Sequence, residues 1–367
     1  RYLTGKPFLG RGMRQHLGQL PARSLRDGSL LLSSISLEQK TSVVTGGAGF
    51  IGSFLCEALL REGNRVICID NFSTGHVRNI EGLLRNPDFQ FLRIDVNDAF
   101  DLGSFAELEP FKVKFIGVHE IYHLAMPTIS KGFEEFRIPT LLTNSVGTRN
   151  MLDIAVKYKA KFLLASSAVI YGNRIADTKL FNEDYLGIVN HLTPRAAYNE
   201  GKRFAETMVT TYASVHHLDA KIARIFRTFG PRMPLFQGHQ IPDFVLSALD
   251  NKPLAISGDE STTTALIYVS DVVDALIRLM RAEPSVGPVN IGSDVELPMR
   301  DVASSIIKLA ESTSEVVYEP APPFLTQMGL PDLTKARNQL SWIPLVRLED
   351  GLAKTIDYVR ANKLLLT

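Results

Sequence analysis

Thr45-Gly46-Gly47-Ala48-Gly49-Phe50-Ile51-Gly52 is the stretch on which the reading of this chain turns. Ser42-Val43-Val44 leads into it as a short β-branched run with the length and composition of a buried parallel strand. Residues 51–61 (IGSFLCEALLR) follow with apolar residues at helical spacing. Strand, glycine turn and helix, in that order, are the context in which such a glycine pattern carries meaning. Gly46 allows the tight turn, Gly49 lets the backbone approach a pyrophosphate, and Gly52 lets the helix pack against the strand. The helix N-terminus, with Phe50 and Ile51 in its first turn, then faces the phosphates.

Working outward, Arg65-Val66-Ile67-Cys68-Ile69-Asp70 reads as a second strand ending in an acid 18 residues after Gly52. A carboxylate there accepts hydrogen bonds from the adenosine ribose hydroxyls and repels a 2′-phosphate, which predicts NAD rather than NADP as the cofactor. Further strands are expected at Phe89–Asp95, with Asp95 beside the adenine, at Ile121–Ala125, with Leu124 and Ala125 leaving past the cofactor, and at Lys161–Ala165, ending in Ser166-Ser167. Strands alternating with helices at this spacing predict an α/β fold with a doubly wound parallel Rossmann sheet. The expected organisation is a basic extension over residues 1–40, a dinucleotide-binding core over 41–180, and over 181–367 the remaining sheet elements interleaved with a smaller, discontinuous C-terminal α/β substrate domain. Asp271 to Ile277 is expected to begin a capped amphipathic helix. His119 and His123 lack ligand spacing and read as packing residues.

Tyr198 and Lys202 stand four apart in AAYNEGKRFAETMVTTYA, so a helix puts both on one face. A phenol with a pKa near ~10 is a poor base at neutral pH. A nearby ammonium and an oxidised nicotinamide favour its phenolate, which could take a proton from an alcohol as hydride leaves for NAD. Ser167 could hold the reacting oxygen. Tyr198 and Lys202 therefore count both as catalytic candidates and as cofactor contacts.

Composition excludes several classes. The chain has 367 residues, 45% of them hydrophobic, too apolar for a disordered chain. Two cysteines cannot make a disulfide framework, no Cys/His cluster has zinc spacing, so no metal is expected, and no apolar run reaches the ~18 residues of a membrane span. Forty Lys+Arg nearly balance 39 Asp+Glu, but six of the basic residues fall within residues 1–26, which hold no acid. The remainder is mildly acidic, so no nucleic-acid partner is expected. Residues 1–40 look like an organelle-targeting leader or a docking arm for a protein assembly, which favours an organelle interior, the mitochondrial matrix side first, over the cytoplasm.

These motifs, with DNFSTG (70–75), IYHLA (121–125), SVGTRNML (145–152), PRAAYNEGKRFAETM (194–208), ARIFRTFGPRM (223–233), YVSD (268–271) and PDLTKA (331–336), resemble the extended short-chain dehydrogenase/reductase family, in its UDP-glucuronate decarboxylase branch. The resemblance implies a UDP-sugar substrate, with bound NAD oxidising C4 of the glucuronate, loss of carbon dioxide from the β-keto acid, and return of the hydride. It assigns the redox step to Ser167, Tyr198 and Lys202, and the cofactor to Gly46, Gly49, Gly52, Asp70, Asn71 and Asp95. It also implies a homodimer through helices near 142–158 and 196–214.

The chain departs from the family pattern elsewhere. Where the family writes Ser-Thr-Ser-Glu-Val-Tyr-Gly, this chain has Ser166 to Gly172 with Val169 at the catalytic Glu position. The Arg expected near the sugar carboxylate is Thr264, and the family Asn after Arg-Ile-Phe is Arg227. Met126-Pro127 replaces a Ser-Pro pair, and Met328, Gly329 and Leu330 replace basic residues that would face the diphosphate. The redox set is kept while the sugar-carboxylate site is eroded, which makes nucleotide-sugar turnover doubtful. The alternative expectation is a non-catalytic, NAD-holding accessory subunit of a large organellar assembly, such as respiratory complex I.

Overall fold

The computed structural model describes residues 39–128, 132–174, 179–321 and 328–366. The expected basic arm thus lies outside the described residues except for its last two. Seven parallel strands form the central sheet: β1 (Thr41–Thr45), β2 (Arg65–Asp70), β3 (Phe89–Arg93), β4 (Glu120–His123), β5 (Lys161–Ser167), β6 (Ala220–Ile225) and β7 (Pro288–Ile291), in the order β7-β6-β5-β4-β1-β2-β3. The order reverses between β1 and β4, and at that switch point the strand ends leave a crevice where ligands of such sheets bind.

Helices cover both faces, so the strands are apolar on both sides and alternate only in which core they enter. Val44, Cys68, Tyr122 and Leu163 point to one face and pack with Leu55 and Leu59 of α1 (Phe50–Arg61). Val43, Ile67, Ile121 and Phe162 point to the other, where they meet Met151, Leu152, Ala205 and Val209. The covering layer on that side is α2 (Phe133–Leu142), a π-helical turn (Thr143–Gly147), α3 (Thr148–Tyr158) and α4 (Ala196–His216). The helix expected at 142–158 is therefore the second half of a longer helical run.

Strands from the second half of the chain return to the sheet as β6 and β7, and other elements of that half form a smaller module. Its core joins α5 (Gln240–Leu249), the strand pair Leu254–Ser257 and Val316–Glu319, α7 (Met299–Ala310) and α8 (Leu348–Leu366), through Phe244, Val245, Leu254, Val302, Ile306 and Ile356. Asp271 departs from expectation. Helix α6 (Val269–Arg281) starts two residues before it and has no side-chain cap, while the Asp271 carboxylate accepts the N–H groups of Leu345 (3.1 Å) and Val346 (2.9 Å). It ties down a distant loop, because those amides have no strand to satisfy them. Among the described residues no helix is long and apolar enough to cross a membrane.

Candidate active site

β1 ends at Thr45 and the chain turns sharply through Gly46, whose φ of +68° suits glycine. A Cβ there would lie 2.8 Å from the Leu124 carbonyl carbon and the Ala125 nitrogen, so the turn seats directly on the exit of β4. A Cβ at Gly52 would lie 2.1 Å from the Gly46 oxygen, and one at Gly49 3.1 Å from it. The three glycines thus let α1 abut the turn. Gly49 is the α1 N-cap, makes no side-chain cap and is followed by no acid in the first turn, so that end of the helix is left to an anion.

Asp70 closes the turn from β2. Its carboxylate accepts the N–H of Ala48 (3.0 Å) and of Phe72 (2.8 Å), leaving a lone pair on each oxygen for a ribose hydroxyl. Burial raises its pKa, against the two backbone donors. Asn71 donates to Asp95 (2.9 Å), which also accepts the Asn97 N–H (2.8 Å). Ala125 donates to the Thr45 hydroxyl at 3.2 Å. The three glycines, Asp70, Asn71, Asp95 and Ala125, with Phe50, Ile51 and Leu124, line a chamber of about 1500 Å³. The cradle that any Cβ would fill and the uncapped helix end fit an NAD pyrophosphate.

The same chamber continues past Ser167, Val169, Tyr198 and Lys202 to Arg227, Thr262–Leu266 and Met299, so the structure brings the predicted redox and cofactor residues together. Met126, Pro127, Met328, Gly329 and Leu330 line it too. Tyr198 hydrogen-bonds with Ser167; burial raises its phenol pKa, while that bond and the Arg195 charge pull it down. The ammonium of Lys202 differs from expectation. It donates to the Ala165 carbonyl at 2.8 Å, and burial draws its pKa down to about 8 against the charge of Glu206. The Arg195 charge is one that lowers the phenol pKa in this geometry. His119 accepts the Thr41 N–H at 3.0 Å and His123 lies between Thr45 and Thr148, both in packing roles as read from the sequence.

Sequence reasoning missed the groups that brace this site. Arg195 sits one residue before α4 with its guanidinium over the Phe133 ring at 5.8 Å; its place three residues ahead of Tyr198 was the available signal. Beneath the site, Glu206 ion-pairs with Arg224 at 2.8 Å and accepts the Ser166 hydroxyl, and Arg224 donates to Tyr171 at 2.9 Å. Glu206 follows Lys202 by four residues on the same face of α4, which was legible, whereas its pairing with β6 was not. At the far wall Arg174 meets Glu296 at 3.3 Å, and Arg227 donates to the Thr264 hydroxyl at 3.3 Å. Thr264 is neutral where the family's Arg was expected, yet the guanidinium of Arg227, from the segment that follows β6, reaches it.

A doubly wound sheet with a dinucleotide cradle and a Ser/Tyr/Lys set defines a class of nucleotide-dependent redox proteins, and comparison with known proteins narrows it. Residues 42–292 match the NAD dependent epimerase/dehydratase family. The chain belongs to that family, within the extended short-chain dehydrogenases/reductases, and NAD is the family's cofactor. It is 40% identical over 321 residues to UDP-glucuronic acid decarboxylase 1 of Danio rerio, covering 88% of this chain and 73% of that one. It is 36% identical over 358 residues to UDP-glucuronic acid decarboxylase 4 of Arabidopsis thaliana, covering 94% and 77%. The UDP-glucuronic acid 4-epimerase of Bacillus cereus, solved with UDP-glucuronic acid and NAD, superposes with a TM-score of 0.76 at 27% identity, covering 88% of this chain and 99% of that one.

Proposed function

We propose that this chain is an NAD-dependent enzyme of UDP-linked hexuronates that keeps the C4 redox step and carries out decarboxylation slowly. The observation that carries the reading is the single chamber, in which the glycine cradle and the Ser167–Tyr198–Lys202 set face one space large enough for a dinucleotide and a sugar nucleotide. NAD, when bound, supplies the hydride acceptor and a positive ring beside the phenol. Tyr198 takes the proton of the sugar hydroxyl, Ser167 holds the same oxygen by hydrogen bonding, and the Arg195 charge favours the phenolate. Lys202, fixed on the Ala165 carbonyl, lines the same space one helical turn on. Val169 is the deficit. It lines the chamber where the family carries a carboxylate, and an isopropyl group neither accepts nor donates a proton.

The test is incubation of purified chain with NAD and UDP-glucuronate, following UDP-xylose and carbon dioxide. Slow formation of both supports the reading; turnover as fast as that of the decarboxylases overturns the slow step. A second reading, an NAD-holding subunit of a large organellar, mitochondrial assembly, is favoured by the same apolar Val169 and by Met328 in place of a basic residue. The native mass of the protein in cell extract separates the two. A homodimer of free enzyme would use the α2–α4 layer, where Ile138, Leu141, Leu142 and Phe204 are exposed.

A further inference from the structure

Arg227 is a chamber cation whose side chain is spent on a neutral group. It lines the chamber and donates to the hydroxyl of Thr264. Among the described residues no carboxylate pairs with it, and burial alone draws its pKa down. Its neighbours around the chamber are committed otherwise. Arg174 meets Glu296, Lys202 donates to Ala165, and the Arg195 guanidinium lies over Phe133. A half-buried guanidinium with one neutral partner has donors to spare for an anion.

The sheet register says which anion. Ser167 at the end of β5 pairs with Ile225 at the end of β6. Val169 and Arg227 each lie two residues further on, so the Arg227 backbone leaves the sheet beside the redox hydroxyl. A group reaching Arg227 from a ring whose hydroxyl sits on Ser167 and Tyr198 is a substituent of that ring, not the diphosphate tethered beyond it. Thr264 arrives from the strand Thr263–Thr264 and holds one donor, which fixes the guanidinium and leaves its other edge for a planar two-oxygen anion.

We propose that Arg227, braced by Thr264, is the residue that recognises the carboxylate of a UDP-linked hexuronate in this chain. The assignment rests on the hexuronate reading above and relocates the anion clamp from the 264 position to the segment that follows β6. It makes Arg227 the determinant of preference for an acidic over a neutral sugar.

Calorimetric titration of the NAD-loaded protein with UDP-glucuronate and with UDP-glucose tests this. The unaltered chain is expected to bind UDP-glucuronate at least tenfold more tightly. Arg227→Gln is expected to abolish that preference while leaving UDP-glucose affinity within about twofold, and adding Thr264→Arg to Arg227→Gln is expected to restore it. Arg227→Lys, which keeps the charge but not the planar fork, is expected to fall between and serves if Arg227→Gln does not fold. Equal weakening of both ligands in Arg227→Gln would mean a diphosphate contact and overturn the assignment, as would an unchanged preference. Failure of the unaltered chain to bind either sugar nucleotide would overturn the hexuronate reading itself, whereas tight binding of both without preference would overturn only the role of Arg227.

Discussion

His123 uses both ring nitrogens, meeting the Thr45 hydroxyl at 2.8 Å and the Thr148 hydroxyl at 3.3 Å, and is buried. Burial, with the Lys202 charge, draws its pKa from 6.5 to about 3. Between those values the unfolded chain binds a proton that the folded chain refuses, so stability is present above pH 6.5 and is lost as pH falls. A tenfold difference in proton affinity is worth about 1.36 kcal/mol, so acidification to two pH units below the unfolded pKa costs about 2.7 kcal/mol from this side chain. Denaturant titrations at pH 7 and pH 4.5 should show His123→Asn losing less stability on acidification than the unaltered chain; equal losses would mean that His123 is not the titrating group. Asp70 gives a binding counterpart. Its two lone pairs are expected to hold the ribose, and charged hydrogen bonds contribute about 1.5–3 kcal/mol each. Asp70→Ala should weaken NAD binding tenfold or more by fluorescence titration, and unchanged occupancy would place the ribose elsewhere.

The contact of α1 with the turn after β1 is the element on which the cofactor half depends. A methyl at position 52 would stand 2.1 Å from the Gly46 oxygen, so α1 must withdraw from the turn. Gly52→Ala is expected to lower stability by about 1–3 kcal/mol and to weaken NAD binding more than stability alone explains. Gly82→Ala, where nothing lies within 4 Å of an added Cβ, is the control and should leave both unchanged. A Gly52→Ala protein with normal NAD affinity would mean that the cradle tolerates a wider gap. This element was legible because its signals are local: a β-branched run, three glycines at fixed offsets and a helical repeat sit within 21 residues, Thr41–Arg61. The sheet was legible for the same reason, since strands covered on both faces read as apolar runs. What escaped depends on partners far apart in the chain. Asp271 meets residues 345 and 346, Glu206 meets Arg224, and Arg227 meets Thr264 across 37 positions. Their geometry is set by how strands leave the sheet, which no periodicity records.

Across the whole molecule the chamber divides its labour. The glycine turn, Asp70 and the exit of β4 build its cofactor end, and the second half of the chain supplies the wall with Arg227 and Thr264. The redox set stands where the two meet, which makes position 169 the place where lost chemistry can be returned. Val169 follows Ser167 by two residues, lines the same space and takes no part in the buried Glu206–Arg224 network, so a longer polar side chain there projects toward ligand rather than into the core. Val169 lines the chamber, so a carboxylate there would face ligand space rather than be buried without a cation. A positioned acid or base typically contributes about 10²–10⁴-fold. Val169→Glu is therefore expected to raise UDP-xylose formation from UDP-glucuronate by at least about 10²-fold, with NAD affinity unchanged. The same substitution in a Tyr198→Phe background should yield no gain, because without the phenol there is no keto acid to decarboxylate. If Val169→Glu binds both ligands and still forms UDP-xylose no faster, the missing carboxylate is not what limits this chain, and the NAD-holding subunit becomes the better account of its chamber.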